Sequence, residues 1–140
     1  MKLLVTGGLG FIGSNFIRQY LATHKNVELV NVDKVGLGSN PASLADLEND
    51  SRYQFVKGDI TNPQLIHRLI THSDLIVNIA AETHVDRSIA DPYTFLNNNV
   101  LGTYTIIEGI RKHNPKARLL HVSTDEVYGT ALQGSFTEAN

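Results

Sequence analysis

A glycine-rich turn near the amino terminus constrains the fold of this chain more than any other feature. The apolar run from Lys2 to Thr6 predicts a β-strand, and the pattern G-G-L-G-F-I-G at residues 7–13 follows it directly. From Gly10 to about Ala22, apolar residues recur at three- and four-residue spacing, which predicts an amphipathic helix. A strand, a glycine turn and a helix start in this order favour phosphate binding. The first N–H groups of a helix lack partners, and the helix dipole is positive there.

The glycine spacing matches the fingerprint of a dinucleotide site. It satisfies both G-x-G-x-x-G (Gly8, Gly10, Gly13) and G-x-x-G-x-x-G (Gly7, Gly10, Gly13). We expect Gly7 and Gly8 to leave the strand with positive φ, Gly10 to let a pyrophosphate approach the backbone, and Gly13 to let the helix pack on the strand. A second apolar run, residues 27–32, ends at Asp33, about 20 residues after Gly13, where a carboxylate can bind a ribose diol. A glycine turn without a ligand is the alternative interpretation.

The residues around this turn also favour one cofactor. Asp33 would repel the 2′-phosphate of NADP, and no arginine lies beside it, so the sequence predicts NAD. Lys34, the next residue, is the one feature of this segment that argues against that preference. Phe11 and Ile12, at the start of the predicted helix, and Lys34 complete this part of the predicted cofactor site.

Strands and helices are predicted to alternate along the rest of the chain. The predicted strands are residues 53–57, 75–81 and 119–123; helices are predicted at 63–72, at 94–112 and weakly after Pro41, whereas 34–39 and 82–92 are predicted loops and 124–140 is turn-like. Such alternation predicts an α/β, Rossmann-like, doubly wound parallel sheet in three αβα layers, with strand order 3-2-1-4-5. We expect residues 1–140 to form one NAD-binding domain that is incomplete at its carboxyl end.

Composition excludes several other classes of protein. The 140 residues are 41% hydrophobic and 19% charged, as in an ordinary globular domain, and the net charge of −2 gives no case for nucleic acid or an anionic membrane. There is no cysteine, and six histidines are scattered without metal-ligand spacing, so we expect no metal site. No signal peptide and no run of about 20 apolar residues is evident. A cytoplasmic protein is expected.

In a sheet of this order, the segments that follow the strands meet at one edge. Asp59 and Ile60 follow the third strand, where the carboxylate could accept from an adenine amino group and Ile60 could cover the ring. Asp59 could equally be a turn-capping aspartate. Small residues at the end of the fourth strand let the backbone pass close to a cofactor. The predicted cofactor contacts there are Ile79, Ala80 and Ala81.

Four segments carry a family resemblance. The segment Thr6–Ser14 resembles the extended short-chain dehydrogenase/reductases that act on nucleotide sugars, and residues 55–60, 80–88 and 121–129 narrow the match. Together they resemble the dTDP-glucose 4,6-dehydratases of that family. The adjacent acids Asp125 and Glu126 best distinguish these dehydratases from the related epimerases, which lack such an acid pair. At the position of Asn98, members of the family often have a threonine near the cofactor, so the resemblance implies a cofactor contact there.

The resemblance implies a reaction and assigns roles to residues. NAD would take hydride from C4 of the sugar in dTDP-glucose and return it to C6; Glu126 would remove the C5 proton, and Asp125 would protonate the departing C6 hydroxyl. Thr124 and Thr83 correspond to positions that contact sugar or cofactor. Because neighbouring residues of a strand point to opposite faces, the backbone must bend after Ser123 for both acids to reach one substrate. Two solvated carboxylates are the alternative interpretation.

The family also uses a Tyr-x-x-x-Lys pair. Tyr53 and Lys57 have this spacing but lie in the predicted third strand, so the resemblance implies that the catalytic pair lies beyond Asn140 and that the chain is an amino-terminal fragment. The helix at 94–112 contributes to a homodimer in the family. A UDP-sugar 4-epimerase or decarboxylase of the same family, and a dinucleotide-sensing protein without catalysis, remain alternatives.

Overall fold

Five parallel strands form the centre of the protein, in the order β3-β2-β1-β4-β5. The computed structural model describes residues 1–139. The strands are β1 (Lys2–Thr6), β2 (Glu28–Asp33), β3 (Tyr53–Lys57), β4 (Leu75–Asn78) and β5 (Arg118–His121). This confirms the predicted strand order and the α/β fold class.

Helices cover both faces of the sheet. They are α1 (Phe11–Thr23), a 3₁₀ helix (Pro41–Leu47), α2 (Pro63–Ile70), α3 (Val85–Ala90), α4 (Pro92–Phe95), a π-helical segment (Leu96–Gly102), α5 (Thr103–His113) and a second 3₁₀ helix (Asp125–Tyr128). Side chains alternate across β1: Leu3 and Val5 are buried in one core with Ile17 of α1, whereas Leu4 is buried in the other with Ile106 of α5. Two cores on opposite faces give the predicted three layers.

Asparagine side chains begin two of the helices where the sequence predicted starts. Asn62 Oδ1 accepts from Leu65 N at 3.1 Å, with Pro63 at the first position of α2. Asn40 Oδ1 accepts from Ala42 N at 3.1 Å before Pro41. Both arrangements satisfy a helix N–H that has no partner within the helix.

The prediction of a loop over residues 82–92 was wrong. The segment contains α3, and the following helix begins at Pro92 rather than residue 94, because Asp91 Oδ1 accepts from Thr94 N at 3.3 Å and Pro92 fits the first turn. Helix α3 buries none of its residues, so no apolar face marked it in the sequence. The long helix predicted at 94–112 includes the π-helical segment, which periodicity at 3.6 residues cannot detect.

The carboxyl ends of β4 and β5 also differ from the prediction. Strand β4 ends at Asn78 rather than residue 81, and β5 ends at His121 rather than residue 123. Backbone hydrogen bonds extend one residue past each strand, from Ile79 N to Thr6 O at 3.1 Å and from Val122 N to Asn78 O at 3.0 Å. The region from residue 124, predicted as turn-like, includes the short 3₁₀ helix; Asn140 lies outside the described residues.

An arginine clamp ties the segment before β3 to the end of α1. Arg52 donates to both carboxylate oxygens of Asp50, at 3.0 and 2.6 Å, and to the carbonyl oxygens of Leu21 at 2.9 Å and His24 at 3.1 Å. The Arg52 side-chain hydrogen bond lowers the pKa of Asp50 from 3.8 to about 2. The charged carboxylate is therefore favoured in the folded state.

This pKa difference predicts a pH-dependent stability. The contribution of Asp50 is present above its unfolded pKa and is lost as pH falls from about 4 toward 2. Asp50→Asn should lower the urea midpoint at pH 7, and the difference from the unmodified protein should shrink below pH 4. A difference that stays constant between these pH values would contradict the assigned cause.

Candidate functional site

A cavity of about 370 Å³ lies at the carboxyl edge of the sheet. The segments that leave β1, β2, β3 and β4 all contribute to it. Every residue predicted to bind the cofactor lines this cavity, and so does Thr83: Gly7, Gly10, Phe11, Ile12, Gly13, Asp33, Lys34, Asp59, Ile60, Ile79, Ala80, Ala81, Thr83 and Asn98. Ligand crevices of open α/β sheets occur at this place, where the strand order reverses between β1 and β4.

The glycines of the turn after β1 differ in what a side chain at each position would meet. Gly7 has φ of +71°, and an added Cβ would lie 2.6 Å from Ala80 Cα. At Gly13 an added Cβ would overlap the Gly7 carbonyl oxygen and lie 2.7 Å from Gly8 Cα, so α1 can cross the turn only with glycine there. At Gly10 an added Cβ would meet one atom within 4 Å, the Gly7 oxygen at 3.3 Å, which is a tight contact but far less crowded than at Gly13.

The expectation of a positive φ at Gly8 was wrong. Among the glycines of this turn only Gly7 has positive φ. Gly8 is required for space instead, since an added Cβ would lie 2.5 Å from Asn31 Cγ and 2.6 Å from Ile17 Cδ1. The buried Asn31 of β2 occupies the room that a side chain would need.

The N-terminus of α1 opens onto the cavity. Gly10 is the N-cap residue and provides no side-chain hydrogen bond, so the first N–H groups of α1 have no cap from the protein. Phe11 and Ile12, both at the edge of the cavity, are 85% and 59% exposed. Uncapped N–H groups with the positive end of a helix dipole suit a phosphate group.

Asp33 orders the loops on the other side of the turn. Its Oδ2 accepts from Leu9 N at 3.0 Å, and its Oδ1 accepts from Val35 N at 2.8 Å and Ser39 Oγ at 2.7 Å. The residue is 6% exposed. The carboxylate thus holds the glycine turn and the loop after β2 together while it lines the cavity. Ser39, a lining residue, was missed, because a serine in a glycine-containing loop has no distinguishing signal in the sequence.

Asp59 and Ile60 form the wall after β3. Asp59 Oδ1 accepts from Thr61 N and from Thr61 Oγ1, both at 2.9 Å, so the turn-capping role is present. Ile60 is 6% exposed and packs on the long helix, where a Cβ added at Gly102 would lie 2.6 Å from Ile60 Cγ1. Asp59 also lines the cavity. Its contact with an adenine amino group stays a prediction.

Glu82 is the centre of a polar cluster that the sequence did not predict. Its Oε1 accepts from Lys34 Nζ at 2.8 Å and from Asn98 Nδ2 at 3.2 Å, and its Oε2 lies 3.5 Å from Arg87 Nη1. Asn99 fixes the backbone of Glu82 through hydrogen bonds of 2.8 and 2.9 Å. Asn98 and Asn99 both belong to the π-helical segment, which therefore forms one side of this cluster.

The acid pair lies at the same edge of the sheet but outside the cavity. Parallel pairing of β4 and β5 brings the carboxyl end of β5 beside that of β4, and Val122 N donates to Asn78 O at 3.0 Å. The chain then bends as predicted, because Thr124 is extended and Asp125 begins a 3₁₀ helix, with Thr124 Oγ1 accepting from Glu126 N at 3.3 Å. Thr124, Asp125 and Glu126 are exposed and do not line the cavity.

A polar chain runs along this edge from β1 to β5. Thr6 Oγ1 donates to Asn78 Oδ1 at 2.5 Å, and Asn78 Nδ2 lies 3.0 Å from His121 Nδ1. Ala80 N donates weakly to Thr6 Oγ1, at 3.4 Å. The strand ends that carry the glycine turn and the acid pair are therefore connected through buried side chains of β1 and β4.

Neither a membrane-spanning helix nor a metal-binding cluster is found among residues 1–139. No helix in that range is long and apolar enough to cross a membrane. No group of three or more histidine, aspartate or glutamate side chains in the same range is placed to hold a metal ion.

Comparisons with known proteins point to one group of enzymes. A family profile described as GDP-mannose 4,6 dehydratase matches residues 4–140. The dTDP-glucose 4,6-dehydratase of Mycolicibacterium smegmatis is 49% identical over 129 residues, which are 92% of this chain and 38% of that protein. A crystal structure of a double mutant of the Streptomyces venezuelae dTDP-glucose 4,6-dehydratase, with NAD bound, matches with a TM-score of 0.93 and 44% identity over 99% of this chain and 44% of the other.

A related enzyme class matches less closely. The UDP-glucose 4-epimerase of Bifidobacterium longum, solved with NAD⁺ and UDP, has a TM-score of 0.84 and 28% identity over 99% of this chain and 41% of that structure. The chain thus spans about two-fifths of the length of these relatives. The profile covers nearly the whole sequence, and the resemblance to the extended short-chain dehydrogenase/reductases is confirmed. The chain belongs to the GDP-mannose 4,6-dehydratase family.

Proposed function

We propose that the chain is the NAD-binding part of a nucleotide-sugar 4,6-dehydratase that converts dTDP-glucose to dTDP-4-keto-6-deoxyglucose. One observation carries the proposal: a single cavity unites the glycine turn, the uncapped N-terminus of α1 and the Asp33 carboxylate. The similarity to dTDP-glucose 4,6-dehydratases, one of them solved with NAD, supports it. The proposal places residues 1–140 in a cofactor domain of a longer enzyme.

The residues of the cavity fit a dinucleotide. The pyrophosphate would lie on the N–H groups of the first turn of α1, where Gly10 has no side chain to obstruct it. Asp33 would accept from the ribose hydroxyls, and Phe11, Ile12 and Ile60 would cover apolar surface of the cofactor.

The proposed chemistry needs one ionised and one protonated carboxyl at the sugar. NAD, when bound, would supply the hydride acceptor for C4 and the donor for C6, while the tyrosine of the family's Tyr-x-x-x-Lys pair would take the C4 hydroxyl proton and a proton would return to C5 with the hydride. Glu126 removes the C5 proton, which the C4 ketone has made acidic, and Asp125 gives a proton to the C6 oxygen so that it leaves as water. Thr124, whose hydroxyl is at the start of the same turn, orients the sugar together with Thr83 of the cavity.

The proposal includes a second copy of the protein and a cytoplasmic location. Several apolar side chains of the long helix are more than half exposed, and a homodimer would cover them: Tyr93, Leu96, Val100, Leu101, Tyr104 and Ile107. The absence of cysteine and the proposed soluble substrates are consistent with a reducing cytoplasm.

A nucleotide-sugar 4-epimerase is the second candidate, because epimerases share this fold at 28% identity. An assay with dTDP-glucose and NAD distinguishes the two. A dehydratase forms a 4-keto-6-deoxy sugar, which absorbs in alkali, whereas an epimerase inverts C4 without loss of water. Formation of the C4 epimer alone would overturn the dehydratase assignment.

Asp33→Ala tests the cofactor part of the proposal. The variant should weaken NAD binding roughly 10- to 100-fold, because the ribose hydroxyls lose a charged acceptor. Isothermal titration calorimetry measures the affinity, and circular dichroism checks the fold. Asp46→Ala is the matched control: its carboxylate pairs with Arg18 outside the cavity, and NAD affinity should not change. Equal affinity in Asp33→Ala and the unmodified protein would remove Asp33 from the site.

A further inference from the structure

The cavity contains one cation beside the proposed ribose site. Among the residues that the structure describes, Lys34 is the only lysine or arginine that lines the cavity, and it directly follows Asp33. A free ammonium group there would attract the 2′-phosphate that distinguishes NADP from NAD. Cofactor choice therefore depends on whether Lys34 is free.

The structure shows that Lys34 is bound. Its Nζ lies 2.8 Å from Glu82 Oε1, and the Glu82 side chain is only 10% exposed. Asn98 and Arg87 contact the same carboxylate, at 3.2 and 3.5 Å. Asn99 holds the Glu82 backbone from both its N–H and its carbonyl group. Asn98 and Arg87 hold the carboxylate and Asn99 holds the backbone, so pairing with Lys34 requires little additional ordering of Glu82.

We infer that Glu82 determines the choice between NAD and NADP by holding the ammonium group of Lys34 in this ion pair. The inference rests on the proposed function and goes beyond it. With the pair closed, the cavity presents the carboxylates of Asp33, Asp59 and Glu82, and its single cation is engaged. A 2′-phosphate would meet Asp33 without a compensating charge, whereas a 2′-hydroxyl can donate to a carboxylate.

Glu82→Gln tests the inference because it removes the charge and keeps the shape of the side chain. In that variant Lys34 is released and one negative charge is lost from the cavity. The ratio of the dissociation constants of NADP and NAD, measured by calorimetry, should fall about tenfold. Glu108→Gln is the matched control: Glu108 also binds two cations, Arg111 and Lys112, but lies on α5 outside the cavity, and the ratio should stay as in the unmodified protein.

A second substitution tests whether the released ammonium group causes the fall. Adding Lys34→Gln to Glu82→Gln should return the ratio to its original value, since the gain depends on the released ammonium group. If Glu82→Gln fails to fold, Glu82→Asp keeps the charge but is too short to hold Lys34 in the same place, and the ratio should fall in that variant too.

The outcomes distinguish this inference from the function on which it rests. NAD binding with an unchanged ratio in Glu82→Gln overturns the role of Glu82 and leaves the proposed cofactor in place. An equal fall in Glu108→Gln, or a fall that persists without Lys34, overturns it as well. Absence of binding to both dinucleotides in the unmodified protein overturns the proposed function and this inference together.

Discussion

Glu126→Gln in the complete enzyme should stop the reaction after oxidation at C4. The amide cannot accept the C5 proton, so the rate of dehydration should fall roughly 10²- to 10⁴-fold, the usual contribution of a general base. Oxidation at C4 does not need this carboxylate and should continue, which the cofactor absorbance reports after addition of dTDP-glucose. In deuterated water, mass spectrometry should detect no deuterium at C5.

A glutamate at the opposite edge of the sheet provides the control. Glu28 begins β2, at the amino end of the strand, and contacts Lys2 through an exposed ion pair of 3.7 Å. Glu28→Gln should exchange the C5 proton and form product at the rate of the unmodified enzyme. Normal deuterium incorporation in Glu126→Gln would show that another group is the base.

Gly13→Ala should destabilise the protein by about 3 kcal/mol, the upper part of the range for forced overpacking. The added Cβ would overlap the Gly7 carbonyl oxygen and press on Gly8 Cα, and both are backbone atoms that cannot rotate away. Urea unfolding followed by circular dichroism measures the effect.

Gly10→Ala is the matched substitution three residues earlier. Gly10 has φ of −72°, which alanine adopts readily, and its added Cβ would meet only the Gly7 oxygen, at 3.3 Å. We expect a change in unfolding free energy of less than about 1 kcal/mol. Equal destabilisation by the two alanines would contradict the different reasons assigned to these glycines.

The sequence was sufficient for the fold because local patterns and global topology agree. Strand β1, the glycine turn and α1 follow directly from residue type and spacing, and alternation of strands with helices leaves few topologies for a parallel sheet. Strand order then determines which loops meet, and so Asp33, Asp59 and Ala80 could be placed in one cavity from the sequence alone.

Other features depend on contacts that no local pattern encodes. The pairing of Lys34 with Glu82 joins residues 48 positions apart, and either residue alone resembles an ordinary surface charge. The requirement for glycine at position 8 comes from the side chain of Asn31 on the next strand. Helix α3 packs no apolar face into a core, so the period used to find helices was absent.

Titration of NAD into the unmodified protein and into Gly10→Ala tests the central claim most directly. We expect one NAD to bind per chain of the unmodified protein and no detectable binding to Gly10→Ala, with the same circular dichroism spectrum and unfolding free energies within about 1 kcal/mol of each other. The methyl group would then occupy the space that the pyrophosphate needs above the first turn of α1. Equal NAD affinity in the two proteins would show that the dinucleotide does not lie on this turn.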